Sequence, residues 1–238
     1  MNVALIFAGG TGQRMNSRSK PKQFLQLHGK PILIHTLEYF EFHPMIDAIC
    51  IVCLAGWEDE LKFNLKQYGI NKVRWITCGG STGHESIYNG LKAIEKDCKD
   101  DDIILIHDGV RPLISEDLIT KNIECVLKFG NSITVEKAAE TIISINEEDE
   151  VLSVPNREIM RTAKAPQCFH YKDIMEVHQR AQDDNFHSID SCHLMNHYGR
   201  KLHIVESTPY NIKIATPSDY YVFRALYEAR ENSQIFGL

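Results

Sequence analysis

The fold is decided near the N-terminus, by the stretch Val3-Ala4-Leu5-Ile6-Phe7-Ala8-Gly9-Gly10-Thr11-Gly12-Gln13-Arg14-Met15. Its first five residues are apolar and β-prone, which is typical of a buried strand. The glycines that follow let backbone N–H groups approach an anion, because no Cβ stands in the way. The stretch therefore predicts a first buried strand of an α/β fold and, directly after it, a loop that binds phosphate.

Two basic residues, Arg14 and Lys22, follow this loop. Arginine offers a bidentate fork to a phosphate, whereas lysine acts as a point charge, so together they could hold a polyphosphate. The loop is neither a P-loop, which ends in Gly-Lys-Ser/Thr, nor a dinucleotide fingerprint, because Met15 stands where that motif needs Gly or Ala. The alternative is a tight turn with incidental basic neighbours.

Apolar runs alternate with helix-like stretches through the first half of the chain. The runs cover 3–7, 46–54, 72–77 and 103–106, and the helical stretches cover 31–42, 57–68 and 84–97. This alternation predicts a mostly parallel sheet covered by helices on both faces. Such sheets bind ligands at the carboxyl ends of their strands, where the glycine-rich loop lies.

The second half has a different texture. A helix is expected at 115–129, short extended segments at 132–154, helices at 171–183 and 190–197, and strands at 201–206 and 211–215. The segments at 132–154 surround an acidic turn and resemble a projecting hairpin, an element that a partner subunit often covers. Thr216 and Pro217 are a cap and first residue for a final helix.

The length, net charge and composition of the chain limit the classes of protein to which it can belong. The chain has 238 residues and a formal net charge of -6, which suits one α/β domain and argues against a general binder of nucleic acid or membrane surfaces. No long apolar run or signal peptide is evident, so a cytoplasmic protein is expected. The seven cysteines are expected to be reduced, and Cys50 and Cys53, three apart on a strand, should face opposite ways.

A second cluster lies at the end of the fourth apolar run, where Asp108, Gly109 and Arg111 follow one another. A carboxylate facing polyphosphate is a reasonable Mg²⁺ ligand, because magnesium takes one or two protein carboxylates together with water and phosphate oxygens. Arg111 would then hold a second anion. In the alternative interpretation, Asp108 caps the following turn and Arg111 pairs with it.

Two weaker signals complete the set. The small residues around Gly79 and Gly80 follow a strand and open a helix, so their backbone could read the edge of a nucleobase, with Ser86 adding a hydroxyl contact. Lys213 stands alone in an apolar segment, and from the sequence it points either to the surface or into a pocket.

Taken together, these motifs resemble one family at several independent points. They are Gly9-Gly10-x-Gly12-x-Arg14-Met15 with Pro21-Lys22-Gln23, then His107-Asp108-Gly109-Val110-Arg111-Pro112, Ala165-Pro166-Gln167, and Asn211-Ile212-Lys213 with Thr216-Pro217-x-Asp219. The chain is similar to the cytidylyltransferases that act on methylerythritol phosphate and ribitol phosphate, from Ala4 to about Asp219 and in the same order.

The resemblance implies a Rossmann-like fold in a single nucleotidyltransferase domain, a β-arm for dimerisation at about 136–154, and Mg²⁺-dependent transfer of CMP from CTP to an alcohol phosphate. It implies catalytic roles for Arg14, Lys22 and Lys213. The nucleotide-binding positions that it implies are Ala8, Gly9, Gly10, Gly12, Gly79, Gly80, Ser86, Asp108 and Gly109, with Asp108 also the metal ligand. Arg111, Thr141 and Arg157 are placed at the acceptor phosphate, the last two reaching across the dimer.

The segment Met160 to Gln167 departs from the methylerythritol enzymes, which usually carry Leu-Trp and Gln-Thr-Pro-Gln there. Arg161 replaces an aromatic wall, and Lys164-Ala165 replaces Gln-Thr. A basic, polar pocket favours an unbranched polyol such as D-ribitol 5-phosphate, whose CDP-ribitol would supply a cell-surface polymer. The methylerythritol phosphate enzyme and a nucleotide-binding regulator without turnover are the alternatives. Gly83 also replaces an arginine of many relatives, which removes one expected nucleotide contact.

Histidine is not needed for this chemistry. The acceptor phosphate is already an anionic nucleophile, so no general base is required, and catalysis depends on alignment and charge neutralisation. His84 and His107 are therefore expected to be structural.

Overall fold

A seven-stranded sheet forms the centre of the protein in a computed structural model that describes residues 1–10 and 20–236, with side chains as far as Asn232. In spatial order its strands are β5 (Val73–Cys78), β4 (Ala48–Cys53), β1 (Asn2–Ala8), β6 (Ile103–Asp108), β10 (Arg161–His170), β7 (Asn131–Lys137) and β11 (Ile204–Glu206). Six strands run parallel, and β10 is antiparallel to both of its neighbours. The mostly parallel sheet that the alternating pattern predicts is confirmed.

Seven helices are present in the described chain: α1 (Ile32–Glu41), α2 (Glu58–Gln67), α3 (Gly83–Ile94), α4 (Glu116–Phe129), α5 (Tyr171–Asp183), α6 (Ser191–His197) and α7 (Pro217–Phe236). Helices α1, α2 and α4 pack on one face of the sheet, and α3, α5 and α6 on the other. Strand β4 is apolar along its whole length, and β1 and β6 are apolar except for Asn2 at the start of β1 and His107 and Asp108 at the end of β6, because these strands have both faces largely buried.

Cys50 and Cys53 illustrate this two-sided burial. Cys50 packs with α3 and α5, whereas Cys53 packs with α1 and α2. Both are buried free thiols, so the prediction that they face opposite ways is confirmed.

A third apolar cluster holds the end of the chain against its beginning. The last helix, α7, buries Phe223 with Ile214 and with Leu27, which belongs to a small hairpin of β2 (Gln26–Leu27) and β3 (Lys30–Pro31). Thr216 accepts a hydrogen bond from the Asp219 N–H, as expected of a cap. This packing brings the segment that carries Lys213 next to the segment that carries Lys22.

The expected strand at 211–215 is wrong, because these residues form no strand. Their backbone groups serve other partners: the Asn211 carbonyl accepts from Arg111, the Ile214 carbonyl accepts from Lys22, and the Ile214 N–H donates to Val110. A segment whose polar groups are satisfied individually in this way cannot also form a strand ladder.

The segment after β7 forms a two-stranded ribbon of β8 (Ser144–Ile145) and β9 (Val151–Ser153), separate from the main sheet. Its apolar side chains are exposed, including Ile145 at 52 % and Leu152 at 65 %. The expected hairpin is therefore present, and its role in dimerisation stays a prediction. Across the described residues, no helix combines the length and apolarity needed to cross a membrane.

Candidate active site

Two loops from distant parts of the sequence meet at the carboxyl edge of the sheet. Strands β1 and β6 are adjacent and parallel, and Phe7 pairs with Asp108. The Gly109 N–H donates to the Phe7 carbonyl over 3.0 Å, and a Cβ on Gly109 would lie 2.8 Å from a methyl carbon of Leu33. The same Cβ would lie 3.1 Å from the Ala8 Cβ, so a larger residue at this position would force its neighbours to shift.

A cavity of about 420 Å³ opens above this edge, and we call it the glycine cleft. Its lining includes Ala8, Gly9, Gly10, Gly80, Lys22 and Ser86, together with Asp108 and Lys213. The cleft is built largely from backbone and short side chains. A flat or anionic group can therefore come within hydrogen-bond distance of main-chain N–H groups.

Gln23 fixes one wall of the glycine cleft. Its side chain is 1 % exposed, and its amide N–H groups donate to the carbonyls of Ala8 at 2.6 Å and Gly10 at 3.3 Å. Because the carbonyls are occupied in this way, the glycine backbone is held in one position. The sequence marks Gln23 only as part of the Pro21-Lys22-Gln23 motif, so its supporting role comes from the structure.

The opposite wall is the turn between β5 and α3. Ser86 accepts a hydrogen bond from the Gly80 N–H and donates to the Thr82 carbonyl, and Glu85 accepts from the N–H and hydroxyl of Ser81. Thr82 caps α3 through the Glu85 N–H. Gly79 does not line the cleft but lies under it, where a Cβ on Gly9 would come 3.4 Å from the Gly79 Cα.

Lys213 and Arg111 both pair with Asp108. The Lys213 Nζ lies 2.5 Å from one carboxylate oxygen, and the Arg111 Nη2 lies 3.1 Å from the other. Burial alone would raise the pKa of the Asp108 carboxyl, but the Lys213 and Arg111 charges outweigh burial and hold that pKa below its usual range. Asp108 is 5 % exposed and Lys213 41 %. The lysine therefore points into a solvent-accessible pocket and not away from the site.

Arg111 is more constrained than the sequence indicates. Besides Asp108, it donates to the Asn211 carbonyl at 2.7 Å, and it is buried. The alternative interpretation, in which Arg111 pairs with Asp108, matches this geometry. Contact of Arg111 with an acceptor phosphate stays a prediction.

Lys22 and Asp219 hold the Lys213 segment from two sides. The Lys22 ammonium donates to the Ile214 carbonyl at 3.1 Å. One Asp219 carboxylate oxygen accepts from the N–H groups of Ala215 at 2.8 Å and Thr216 at 2.7 Å. Burial would raise the pKa of Asp219, but these two hydrogen bonds lower it below its usual value. The Lys213 segment is therefore positioned by partners that come from both ends of the chain.

A second cavity, of about 360 Å³, adjoins the first, and we call it the β10 cleft. It shares Phe7, Gly83, Asp108 and Lys213 with the glycine cleft. Lys213 lies over the Phe7 ring at 5.6 Å. The two clefts thus meet at the Lys213–Asp108 pair, so a group in each could touch the same ammonium.

Lys164, Gln167, Asp190 and Ser191 line the β10 cleft but not the glycine cleft, and we call these four residues the outer wall. Strand β10 loses register with β7 between Ala163 and Gln167, and this interruption lies at the cleft. Gln167 donates to Asp190 at 3.0 Å and accepts from the Cys192 N–H at 2.8 Å, which joins β10 to α6. The sequence flagged Lys164 only as a departure from relatives and gave no signal for Asp190 or Ser191.

The remaining sequence-predicted residues have different outcomes. Gly12 and Arg14 lie outside the described residues. Thr141 and Arg157 are exposed and line neither cleft of this chain, and Arg157 donates to the Ala139 carbonyl at 3.0 Å. Arg161 pairs with Glu206 and lines neither cleft, so Lys164 is the basic residue of the altered segment that faces the cavity.

The donor set around Asp108 is compatible with magnesium. Within the described ranges, no three His, Cys, Asp or Glu side chains form a metal-binding group. Magnesium does not need such a group, because it usually keeps several waters and takes one or two carboxylates together with phosphate oxygens. Asp108, at the junction of the two clefts, is the carboxylate that could hold it, and this role stays a prediction.

Neither of the histidines singled out from the sequence lines a cleft. Burial lowers the pKa of His107 to about 3, and its ring nitrogen contacts the Arg111 carbonyl at 3.2 Å. The His84 ring contacts the Ser188 hydroxyl at 2.8 Å. Both positions are those of structural residues.

The family that this chain matches and two of its relatives are named as cytidylyltransferases. Residues 2–228 match the family described as IspD: 2-C-methyl-D-erythritol 4-phosphate cytidylyltransferase. A Vibrio parahaemolyticus protein named ribitol-5-phosphate cytidylyltransferase is 48 % identical over 238 residues, with 100 % of both chains covered. A Clostridium botulinum protein named 2-C-methyl-D-erythritol 4-phosphate cytidylyltransferase is 37 % identical over 227 residues, which are 95 % of this chain and 97 % of that protein.

A solved structure gives the same picture of the fold. The crystal structure of 4-diphosphocytidyl-2C-methyl-D-erythritol synthase from Anaerococcus prevotii matches with a TM-score of 0.83 and 29 % sequence identity. The match covers 95 % of this chain and 96 % of that one. The sheet and its helices are therefore shared along nearly the whole length.

Proposed function

This chain belongs to the 2-C-methyl-D-erythritol 4-phosphate cytidylyltransferase family of CTP-dependent nucleotidyltransferases, and we propose that it transfers CMP from CTP to D-ribitol 5-phosphate, giving CDP-ribitol and pyrophosphate. The observation that carries the proposal is the meeting of two clefts at one ammonium, that of Lys213. One cleft suits a nucleotide, because it is lined by glycine backbone. The other suits an acceptor, because polar side chains such as Arg111, Lys164 and Ser191 are among its lining residues.

The reaction needs alignment more than covalent help. An acceptor phosphate oxygen forms a bond to the α-phosphorus of CTP, the bond from that phosphorus to the bridging oxygen breaks, and pyrophosphate leaves with the electron pair. Negative charge grows around phosphorus, where Lys213 lies between the clefts. Lys22, and by resemblance Arg14, hold the triphosphate. No proton has to be removed from the acceptor phosphate.

The residues that line the glycine cleft indicate how the nucleotide binds. The backbone of Ala8, Gly9, Gly10 and Gly80, with Ser86, cradles the nucleotide. When Mg²⁺ is bound, it neutralises phosphate charge beside Asp108. Before substrate arrives, Lys213 and Arg111 balance the Asp108 charge, so the buried carboxylate is not left alone in the folded protein.

The acceptor assignment is supported by Lys164. Its cationic side chain lines the β10 cleft, at the position where relatives acting on methylerythritol phosphate are expected to carry neutral residues. The named ribitol-5-phosphate relative spans the full chain at 48 % identity. The Lys164 ammonium can donate hydrogen bonds to the hydroxyl groups of a linear polyol but not to a branched methyl group.

An acceptor screen tests the proposal. Pyrophosphate release is measured with CTP and Mg²⁺ against D-ribitol 5-phosphate and 2-C-methyl-D-erythritol 4-phosphate at equal concentrations. We expect kcat/KM to favour ribitol 5-phosphate by at least about tenfold. Equal rates with both acceptors would defeat the pocket argument, and CTP binding without pyrophosphate release from any acceptor would establish a regulator.

We further propose that the protein acts in the cytoplasm as a homodimer through the ribbon of β8 and β9, and that its product supplies a cell-surface polymer. Exposed Ile145, Val151 and Leu152 on the ribbon support an interface. All seven cysteines are free thiols, which suits a reducing compartment. In a dimer, Thr141 and Arg157 would reach the partner's acceptor phosphate.

The dimer is tested by sedimentation velocity. We expect the wild type to sediment as a dimer, and the double variant Ile145→Asp/Leu152→Asp to sediment as a monomer with weaker acceptor binding. The matched control is Leu127→Asp, an exposed residue of α4 that is 67 % accessible and lies off the ribbon. A monomeric wild type would refute this part of the proposal.

A further inference from the structure

The outer wall of the β10 cleft contains a buried hydroxyl without a partner. Ser191 lines the cleft and is 2 % exposed, and its Oγ has no hydrogen-bond partner among the described residues. Buried polar groups are normally satisfied, so an exception at a cavity wall indicates a group that a ligand satisfies. The unpartnered atom is an observation independent of the cleft itself.

Lys164 lies on the same wall with unused donor capacity. Its ammonium pairs with Glu136, and its side chain is 15 % exposed. An ammonium has three N–H donors, and one carboxylate partner does not engage all of them in the described structure. Lys164 is also held in place, because Glu136 is on β7, the neighbour of β10. A positioned cation with spare donors can donate to neutral hydroxyl oxygens.

The rest of the wall is already committed. Gln167 donates to Asp190 and accepts from the Cys192 N–H, and Asp190 also accepts from the His193 N–H. These bonds fix the wall's shape and leave Lys164 and Ser191 as the groups that can adapt to a substrate. On the proposed function the phosphate end of an acceptor lies beside Lys213, where the two clefts meet, so the outer wall is left for the remainder of the molecule.

We propose that Lys164 and Ser191 are specificity-determining residues that bind hydroxyl groups of the acceptor's polyol chain. The inference rests on the proposed function and deepens it, because it names the groups that distinguish a polyol phosphate from less hydroxylated acceptors. Lys164 donates to one hydroxyl oxygen, while Ser191 both donates to and accepts from another. A site built to pair with a hydroxyl discriminates strongly against an analogue that lacks it, since its own polar group is left unpaired.

The test is designed like a double-mutant cycle, in which a hydroxyl of the acceptor and a side chain of the protein are removed separately and together. Pyrophosphate release is measured for the wild type, Lys164→Met and Ser191→Ala with D-ribitol 5-phosphate and with its 2-, 3- and 4-deoxy analogues. We expect the wild type to lose about tenfold or more in kcat/KM on at least one analogue. In the variant that lacks the partner of that hydroxyl, kcat/KM for the same analogue should be at most about threefold lower than kcat/KM for D-ribitol 5-phosphate. The KM for CTP should stay unchanged.

The matched control is Lys172→Met, which removes a lysine in the first turn of α5 that is 65 % exposed and lines neither cleft. It should retain the wild-type discrimination. Should Lys164→Met fail to fold because Glu136 is left unpaired, the double variant Lys164→Met/Glu136→Gln removes both charges and takes its place in the cycle.

Two outcomes are distinguishable. If the wild type turns over ribitol 5-phosphate but both variants discriminate against every deoxy analogue as strongly as it does, the hydroxyl-binding role is refuted and the proposed function stands. If the wild type releases pyrophosphate with 2-C-methyl-D-erythritol 4-phosphate and not with ribitol 5-phosphate, the proposed function itself is refuted.

Discussion

The two clefts are built in opposite ways. The glycine cleft is lined largely by glycine backbone and short side chains, some of which bond to near neighbours in the sequence, as Ser86 does with Gly80 and Thr82. The outer wall of the β10 cleft presents polar side chains from β10 and from the start of α6, and a hydrogen bond between Gln167 and Asp190 joins these two elements. The part expected to hold the nucleotide therefore depends mainly on backbone geometry, whereas the part expected to select an acceptor depends on the identity of individual side chains such as Lys164 and Ser191.

The largest expected effect is at the junction of the clefts. Lys213→Ala removes the ammonium that both cavities share, and we expect kcat to fall by about 10²-fold, corresponding to about 3 kcal/mol of barrier. Pyrophosphate release at saturating CTP and acceptor measures it. If the loss instead falls on one substrate's KM with kcat preserved, Lys213 belongs to one cleft and not to their junction.

Lys172→Ala is the control for this comparison, because Lys172 pairs with Asp100 on the surface and lines neither cleft. Its kcat should match that of the wild type. Turnover of Lys213→Ala within about threefold of this control would remove Lys213 from the mechanism.

A smaller effect is expected for Gly10→Ala, which should change binding in the glycine cleft and not in the β10 cleft. No described atom lies within 4 Å of a Cβ placed on Gly10, so Gly10→Ala should leave thermal stability unchanged. If the nucleotide packs on this backbone, the added methyl group should raise the KM for CTP by about tenfold while the acceptor KM stays constant. Steady-state kinetics with each substrate varied in turn measures both constants.

Gly199→Ala provides the contrast, because Gly199 has a φ of +70° and lies outside both clefts. That variant should lose stability and keep its KM for CTP. A Gly10→Ala enzyme with the wild-type CTP KM would show that the nucleotide does not approach this loop.

The smallest expected effect is on the pH dependence of stability, and it comes from buried histidines on α3 and α5. His84 on α3 contacts Ser188, just before α6, and its ring lies 4.6 Å from the His178 ring of α5, with the two planes tilted by 39°. Burial lowers the pKa of His178 to about 3, below the 6.5 of an unfolded chain. The unfolded state therefore binds more protons between these values, and the free energy of unfolding should fall as pH drops from 6.5 toward 3.

We expect His178 to contribute roughly 1 kcal/mol per pH unit to that slope. Urea unfolding at pH 7, 6, 5 and 4 measures it for the wild type and for His178→Phe, which keeps an aromatic ring beside Tyr88. The variant should show the shallower dependence. Identical slopes would mean that His178 is protonated in the folded protein.

Much of this molecule could be predicted from the sequence, because strand and loop signals are local. The boundaries of β1, β4, β5 and β6 and of the seven helices agree with the apolar runs and caps to within a few residues. The failure at 211–215 has a physical reason. That segment is apolar enough for a strand, but Arg111 and Lys22 donate to its carbonyls, and no local pattern shows such distant partners.

By itself the sequence determined that a glycine-rich turn follows the first strand, that Asp108 ends the fourth run, and that cations stand at Lys22 and Lys213, because glycine, charge and hydrophobic period are properties of short stretches. Only the tertiary structure decided that Lys213 and Arg111 share Asp108, that two cavities meet there, and that Lys164 faces one of them while Arg161 does not. The reason is that strand order and register, not sequence spacing, bring these side chains to one edge of the sheet.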